Sequence, residues 1–456
     1  MPVDTRHYLS ESMLPSWKKA KDTRDGQTAI HKGAELYLPR LSSQDDKEYK
    51  SYRDRAGFYG ATSRSIDAFK GMILRREPTF ENKDSLPEVV TQCGDTFFEF
   101  LDDVFEIALV QGFGGILVDH PKQNQDVVSK GQAEALGIKP YMALYEPNNI
   151  YNWKYEVINN VKMLTMVVLE EKREIPIDKY ESELKEQYRV LILEEGVYRQ
   201  EIYEEATADS EDNFILIDTI TPLMNGKTLD YIPFYSIGDP KKYPPLLDLI
   251  DVNINHYRVT ADYENASHFT GLPTPIISGV QLDEDQSITI GSTKALVFAQ
   301  ADAKAYYLEY SGSGISALQG NIELKEKQMG MLGARMLIDD RTTDKTVGAT
   351  VIKSTGEFSA LAQVAMMVDK VVNKALDTYS EWMGVDTISM ETNKDFIPTK
   401  MDSNTLRELF ATYQGGGISY ETFWQNLKEG EIVMTETSDD EMENIKDGEP
   451  ALGAIE

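Results

Sequence analysis

A chain of 456 residues with 41% hydrophobic content has enough length and apolar material for two intertwined domains or about three separate ones. Lysine and arginine number 46 against 76 aspartate and glutamate, a formal charge of −30 that opposes tight binding of nucleic acid along any broad surface while leaving room for DNA that is touched without being held. Cys93 is the only cysteine, which excludes an intrachain disulfide or a multi-cysteine metal cluster and fits a reducing cytoplasm; residues 1–40 hold no apolar leader core, and no run approaches the roughly 18 apolar residues of a membrane span.

Residues 1–41 read as a polar arm with room for one short helix and no core, Trp17 standing beside Lys18, Lys19 and Lys21. Ser43, with Asp46 three positions on, reads as a capping box that opens one long helix with Tyr52, Ala56, Tyr59, Ile66, Phe69 and Ile73 as its buried stripe and Pro78 as its stop. A second helix starts near Asp95, sets Phe97, Leu101, Val104, Phe105 and Ala108 on one face and ends at Gly112; a strand follows over Gly115–Asp119. Gly112, Gly114 and Gly115 invite comparison with a nucleotide loop, but they come after a helix and before a strand, the reverse of what a phosphate cradle requires.

From Pro140 to Ile237 the apolar period is two, giving strands at Tyr141–Tyr145, Leu164–Leu169, Tyr188–Leu193, Val197–Tyr203, Phe214–Ile220 and Ile232–Ile237, with Glu195 and Gly196 as a hairpin turn. Gly226, Lys227 and Thr228 match the tail of a phosphate-binding loop. Thr221 stands where its first glycine belongs, and Leu229, Asp230 and Tyr231 lead toward a strand and not a helix, so a polar turn is expected.

Pro244 and Pro245 open a long helix in which Leu246, Ile250, Ile254, Tyr257 and Ala261 recur at spacings of three and four, until Gly271 and Pro273 stop it; roughly 25 residues at about 1.5 Å make a rod of about 38 Å. A second rod carries Ile315, Leu318, Ile322, Met329, Leu332 and Met336. Its glycines, Gly320, Gly330 and Gly333, each cost roughly 1 kcal/mol in a helix, which suggests a close neighbouring backbone. Between the rods, Pro275–Gly279, Ala295–Ala299 and Ala305–Tyr310 read as short strands in an insert too small for its own core. Stripes this narrow point to contacts between subunits. Arg341–Lys353 reads as a polar connector, followed by a helix to Gly384 striped by Phe358, Leu361, Val364, Val368, Val372, Leu376, Tyr379 and Met383. A strand at Thr387–Glu391, two short helices capped near Ser403 and Ser419, and an acidic, disordered stretch from Thr435 complete the chain.

His7, His31, His120, His256 and His268 have no zinc-ligand spacing. Asp119 beside His120 and the pairs Asp102–Asp103 and Asp339–Asp340 are the only acid–base candidates, and the simpler reading is solvated carboxylate. With no serine elbow, dinucleotide fingerprint or basic aromatic helix, the expectation is no catalysis, no cofactor and no metal.

Four stretches, YLPRLSSQDDKEYKSYRDRAGFYGATSRSIDAFKGMI at Tyr37–Ile73, QGFGGILVDHP ending at Pro121, YIPFYSIGD at Tyr231–Asp239 and PPLLDLIDVNINHYRVTADYENASHFTGLPTPIISG at Pro244–Gly279, together with the order of elements, resemble the portal, or head–tail connector, proteins of tailed double-stranded DNA bacteriophages. The resemblance implies an α+β subunit with an arm (1–41), a β-rich wing (42–243), two stem helices (244–271 and 312–340), a small α/β clip (272–311), a tunnel loop (341–355), a tunnel helix with a wing return strand (356–400), a short helical crown (401–433) and an acidic tail (434–456). It implies stem contacts through Leu246, Ile250, Ile254, Tyr257, Ile315, Leu318, Ile322 and Met329, clip strands through Val297 and Leu308, and a DNA-facing loop of Arg341, Thr342, Thr343, Asp344, Lys345 and Thr346. The implied assembly is a ring of twelve copies at a capsid vertex of the virion, built in the host cytoplasm, passing double-stranded DNA in packaging and ejection. Its implied partners are the terminase large subunit, the major capsid and scaffolding proteins and a head–tail adaptor, with no membrane. Two other readings stay open: a nucleotide-dependent enzyme working through Gly226, Lys227 and Thr228, and a virion scaffold that is not a portal.

Overall fold

The computed structural model describes residues 2–121, 139–206, 213–271, 274–279, 302–308, 313–333, 347–394, 396, 403–430 and 432–433, and the chain divides into two compact units, Met1–Asn393 and Lys394–Glu456. The first unit opens on α1 (Tyr8–Asp25) and α2 (Gln27–Gly33). Met13, Trp17, Ala20 and Thr23 recur at helical spacing and are buried, and Trp17 stacks on Phe113 at 5.4 Å. The segment that reads as a polar arm therefore supplies core. Lys18, Lys19 and Lys21 turn away to pair with Asp22, Asp251 and, for Lys21, Asp25 and Glu146.

The single long helix expected after Ser43 is two helices, α3 (Asp46–Arg55) and α4 (Ala61–Ile73). Its capping box is Asp45 with Glu48, not Ser43 with Asp46: the Asp45 carboxylate accepts from the Glu48 N–H at 2.8 Å, and Glu48 accepts from the Asp45 N–H at 3.0 Å. Ala56 is extended and Gly57 and Gly60 follow, so the chain turns before α4; Tyr52, Ala56, Ile66, Phe69 and Ile73 are buried, but Tyr59 is 51% exposed. A second capping box, Thr96 with Glu99, starts α5 (Phe97–Val110).

Two antiparallel sheets follow. β4 (Ile150–Ile158), β5 (Val161–Pro176), β6 (Ser182–Glu194), β7 (Val197–Glu205) and β8 (Phe214–Ile220) form a five-stranded meander, and β2 (Phe113–Asp119) lies between β3 (Tyr141–Tyr145) and β11 (Phe234–Gly238). The turn at Glu195 and Gly196, and an unanticipated one at Asn159 and Asn160, hold positive φ at both central residues, the twist that two-residue hairpins favour. β4 escapes a period-two reading because residues 154–158 are exposed on both faces.

The glycines at the start of β2 are there for packing. A Cβ on Gly114 would stand 2.6 Å from the Ile107 side chain, and one on Gly115 would overlap the ring of Phe234, so helix, β2 and β11 close up only without those atoms. Gly226 sits with Asn225 in the positive-φ turn between β9 (Leu223–Met224) and β10 (Lys227–Thr228), a polar hairpin with no helix behind it.

The rest of this unit is α6 (Leu247–Gly271), β12 (Thr274–Ser278), β13 (Lys304–Leu308), α7 (Ser313–Met331), α8 (Val347–Met383) and β14 (Ser389–Glu391), which pairs with β1 (Thr79–Glu81). Leu361, Val368, Val372, Leu376 and Tyr379 of α8 are buried, joined by Ala365, Val371 and Ala375. Helix α8 begins earlier than expected, so Val347–Lys353 is helical and not connector. In the second unit, α9 (Ser403–Gln414) and α10 (Tyr420–Glu429) pack through Tyr413 stacked on Phe423 at 4.6 Å, and Ser419 caps α10 by accepting from the Thr422 N–H. The stretch expected to be disordered from Thr435 lies outside the described residues. Helices and antiparallel sheets in separate runs make the chain α+β.

Candidate functional site

The candidate site is the α6–α7 pair with the β12–β13 hairpin at one end. Pro244 and Pro245 lead into α6, where the Leu247 N–H reaches the Pro244 carbonyl at 3.1 Å and the Ile250 N–H reaches Leu246 at 2.9 Å. Ile250, Ile254, Tyr257 and Ala261 are buried as their spacing requires, with Leu249 added and Leu246 partly buried. Leu249 packs with Met329 and Ala61, while His256 lies 3.8 Å from Glu326, so early α6 meets late α7 and the helices run antiparallel. On α7, Met329 is buried and Ile315, Leu318 and Ile322 are partly so.

Subunit contacts are not needed to cover α6. Asn253 is buried on it and caps α4 from outside, accepting from the Thr62 N–H at 3.1 Å and donating to the Tyr59 carbonyl at 2.8 Å. Tyr52 donates to Asp262 at 2.5 Å, and Arg258 donates to the Tyr37 carbonyl at 2.7 Å. The N-terminal helices thus cover much of a stripe that looked unpartnered in the sequence. His256 is buried between the helices, and burial, opposed by Glu326, lowers its pKa, so the ring is neutral near pH 7.

The outer side of α7 is different. Leu324 is 51% exposed and Met331 55%, with Leu332 exposed just beyond the helix. Gly320 faces open space where a Cβ would stand, so no backbone among the described residues explains it; Gly333 adopts a φ of +137°, and a Cβ there would stand 3.2 Å from the Phe69 ring. The two insert strands are bonded to each other, Thr274 opposite Leu308 and Ser278 opposite Lys304. Val297, the strand expected at Ala295–Ala299, Met336, and the loop residues Arg341, Thr342, Thr343, Asp344, Lys345 and Thr346 lie outside the described residues.

Of the acid–base candidates, Asp119 is not solvated surface. It is 3% exposed at the end of β2 and accepts from Tyr141 Oη at 2.9 Å, Gln200 Nε2 at 2.7 Å and Arg189 Nη1 at 3.3 Å. Arg189 also donates from Nε to Glu171 at 2.7 Å, and Tyr145 and Gln187 donate to the same carboxylate at 2.6 Å and 2.5 Å. Burial pushes the Glu171 carboxyl up, but Arg189 and these donors outweigh it and hold the group below its ordinary value. Every strong acceptor is occupied, so the cluster joins the two sheets and has no free base to offer a substrate. Sequence reading missed it because its charges sit on strands far apart in the chain. Asp102 pairs with Lys70 at 2.6 Å, and Asp339 and Asp340 lie outside the described residues.

No group of three or more His, Cys, Asp or Glu among the described residues could hold a metal, and no described helix is long and apolar enough to cross a membrane. Lys227 is exposed on its hairpin. Lys227→Ala is expected to leave ATP turnover unchanged at background; hydrolysis by the parent that disappears in the variant would restore the nucleotide reading.

A family model described as a domain of unknown function (DUF4055) matches residues 245–383, the span from α6 through α8. No curated protein matches. Among solved structures, a chain in the neck of a native gene transfer agent particle, computed with C12 symmetry, aligns at 13% identity and a TM-score of 0.36 over 82% of this chain and 91% of its own. A chain in the virion of a native gene transfer agent particle aligns at 13% identity and 0.35 over 86% and 95%. Scores of this size do not define a shared fold.

Proposed function

We propose that the chain is the subunit of a closed ring, a portal-type channel at one capsid vertex through which double-stranded DNA is packaged and ejected. The observation that carries this reading is the α6–α7 pair. One helix is sealed into its own chain, while the other, 19 residues long, leaves Leu324 and Met331 bare on its outer side. A lone subunit gains little from such a helix, and a row of neighbours would cover it. The resemblance in the four sequence stretches supports the same reading, as does the order helix, β-excursion, helix, loop, long helix.

The charge fits passage and not capture. Carboxylates around a channel repel phosphates and let a duplex slide, where a basic lining would hold it. In this reading Arg341 and Lys345, with Thr342, Thr343, Asp344 and Thr346, face the duplex from the loop between α7 and α8 and make weak, salt-sensitive phosphate contacts. Twelve copies, docking of a terminase large subunit and of a head–tail adaptor, contacts with capsid and scaffolding proteins, and the absence of catalysis belong to the proposal. Native mass measurement tests its core: the purified chain is expected to form one closed oligomer with a through-channel in top view. A stable monomer at micromolar concentration that does not convert at higher concentration would overturn it, and a closed ring with no channel would leave only the scaffold reading.

A further inference from the structure

Two clefts of opposite charge lie toward the two ends of α5. The first, of about 690 Å³, is walled by Phe113, Trp153 and Phe234, with His7 stacked on Trp153 at 4.2 Å. Its rim carries Lys154, Lys162 and Lys241. Lys154 pairs with Glu156 at 2.6 Å, and Lys162 lies over the Tyr155 ring at 4.4 Å. Neither Lys162 nor Lys241 meets a carboxylate within ion-pair distance among the described residues. Asp239 lines the same cleft and offsets part of this charge, so Lys162 and Lys241 leave a small positive excess over an aromatic wall in a chain whose formal charge is −30.

The second cleft, of about 530 Å³, has Leu74 and Phe98 in its apolar part, Phe98 being 40% exposed, and is edged by carboxylates. Lys70 neutralises Asp102, Asp95 accepts from Thr91, and Glu99 is used in its capping box. Glu77 reaches only Lys83, at 3.6 Å, and Asp103 has no cation within ion-pair distance among the described residues. Phe98 stands near the start of α5 and Phe113 three residues past its end, so the two clefts lie toward opposite ends of this 14-residue helix, which is itself about 21 Å long.

A ring formed by rotation joins unlike surfaces head to tail, so each subunit needs two complementary patches displaced across its body. From that requirement we infer that the Phe98 cleft of one copy docks on the Trp153 cleft of the next, with Asp103 and Glu77 facing Lys162 and Lys241. The inference rests on the ring reading and names the surfaces that close it. Charge decides the occupant: the first cleft asks for an acidic surface with an aromatic anchor, and this chain carries one toward the other end of α5.

Charge reversal separates the possibilities. Lys162→Glu with Lys241→Glu, and separately Glu77→Lys with Asp103→Lys, are expected to lower the ring fraction at least tenfold at the parent's concentration. Far-UV circular dichroism should match the parent in each, because none of the four residues serves a cap or a buried pair. Joining all four substitutions in one chain is expected to restore rings, since the pairs then face each other with signs exchanged. Rings from both charge variants at parental yield would overturn the docking and leave the ring reading standing. Loss in both without rescue would also overturn it, assigning each cleft to a different partner. A parent chain that never forms rings would remove the ring reading and this inference together.

Discussion

Arg189→Leu is expected to cost about 3–5 kcal/mol of stability, because it strands two carboxylates, Asp119 and Glu171, that are 4% and 18% exposed at their side chains. The leucine fills part of the space but supplies no donor. In the parent, Glu171 titrates below its ordinary value, so its contribution is complete above the unfolded pKa and is lost as pH falls through the lower folded one. The variant should reverse that sign. With no cation near, burial pushes the Glu171 carboxyl up, the penalty is full at neutral pH, and acidification through the raised value relieves part of it. Urea midpoints measured from pH 7 down to about pH 3 test both halves. Equal midpoints for parent and variant at pH 7, or parallel pH profiles, would show that the cluster does not tie the two sheets.

Trp17→Ala is expected to cost about 3–5 kcal/mol, the range for deleting a large aromatic from a filled core. Trp17 has no exposed surface, stacks on Phe113 and lies on the face of α1 that packs toward α4, α5 and α6. A tether would behave otherwise. If residues 1–41 were an appended arm, the same substitution would change the urea midpoint by no more than the roughly 0.5 kcal/mol of a surface site, and removing 1–25 would leave a folded remainder. A shift within that surface range would return the segment to the status its sequence suggested.

The difference between those two outcomes shows where sequence reading reaches. Period-two segments such as Tyr141–Tyr145 and Phe214–Ile220 were legible residue for residue, because alternation over a half-buried sheet is written locally. The stripe Ile250, Ile254, Tyr257 and Ala261 was legible for the same reason. What covers it was not: Asn253 reaching Thr62 and Tyr52 reaching Asp262 join positions 191 and 210 residues apart, and no local pattern announces them. The length of α1 and its place in the core were missed, although a short helix was expected there, because one tryptophan among lysines gives a thin stripe even though Met13, Trp17 and Ala20 hold the spacing. The break between α3 and α4 had a visible signal in Gly57 and Gly60 that the strong flanking stripe masked. Of the expected stem positions, Met329 is buried and Ile315, Leu318 and Ile322 are partly covered, while the loop positions 341–346 lie outside what the structure describes.

Strand β14 completes its two-stranded ribbon with β1, Thr79 and its partner Glu391 being 312 positions apart, and it is held there by Asn373, which donates to the Met390 carbonyl at 2.9 Å and accepts from its N–H at 2.8 Å. During synthesis at about 5–20 residues per second, Thr79 leaves the ribosome roughly 15–60 s before Glu391 does. For that interval Phe80 has no partner strand, and α4 and α5 await α8, which packs against them and carries the buried Leu361, Val368, Val372, Leu376 and Tyr379. A contact of such sequence separation forms late in folding, since loop closure must precede any return from it. The outer side of α7 is therefore presented on a folded unit only after Ser389–Glu391 has emerged and paired with Thr79–Glu81.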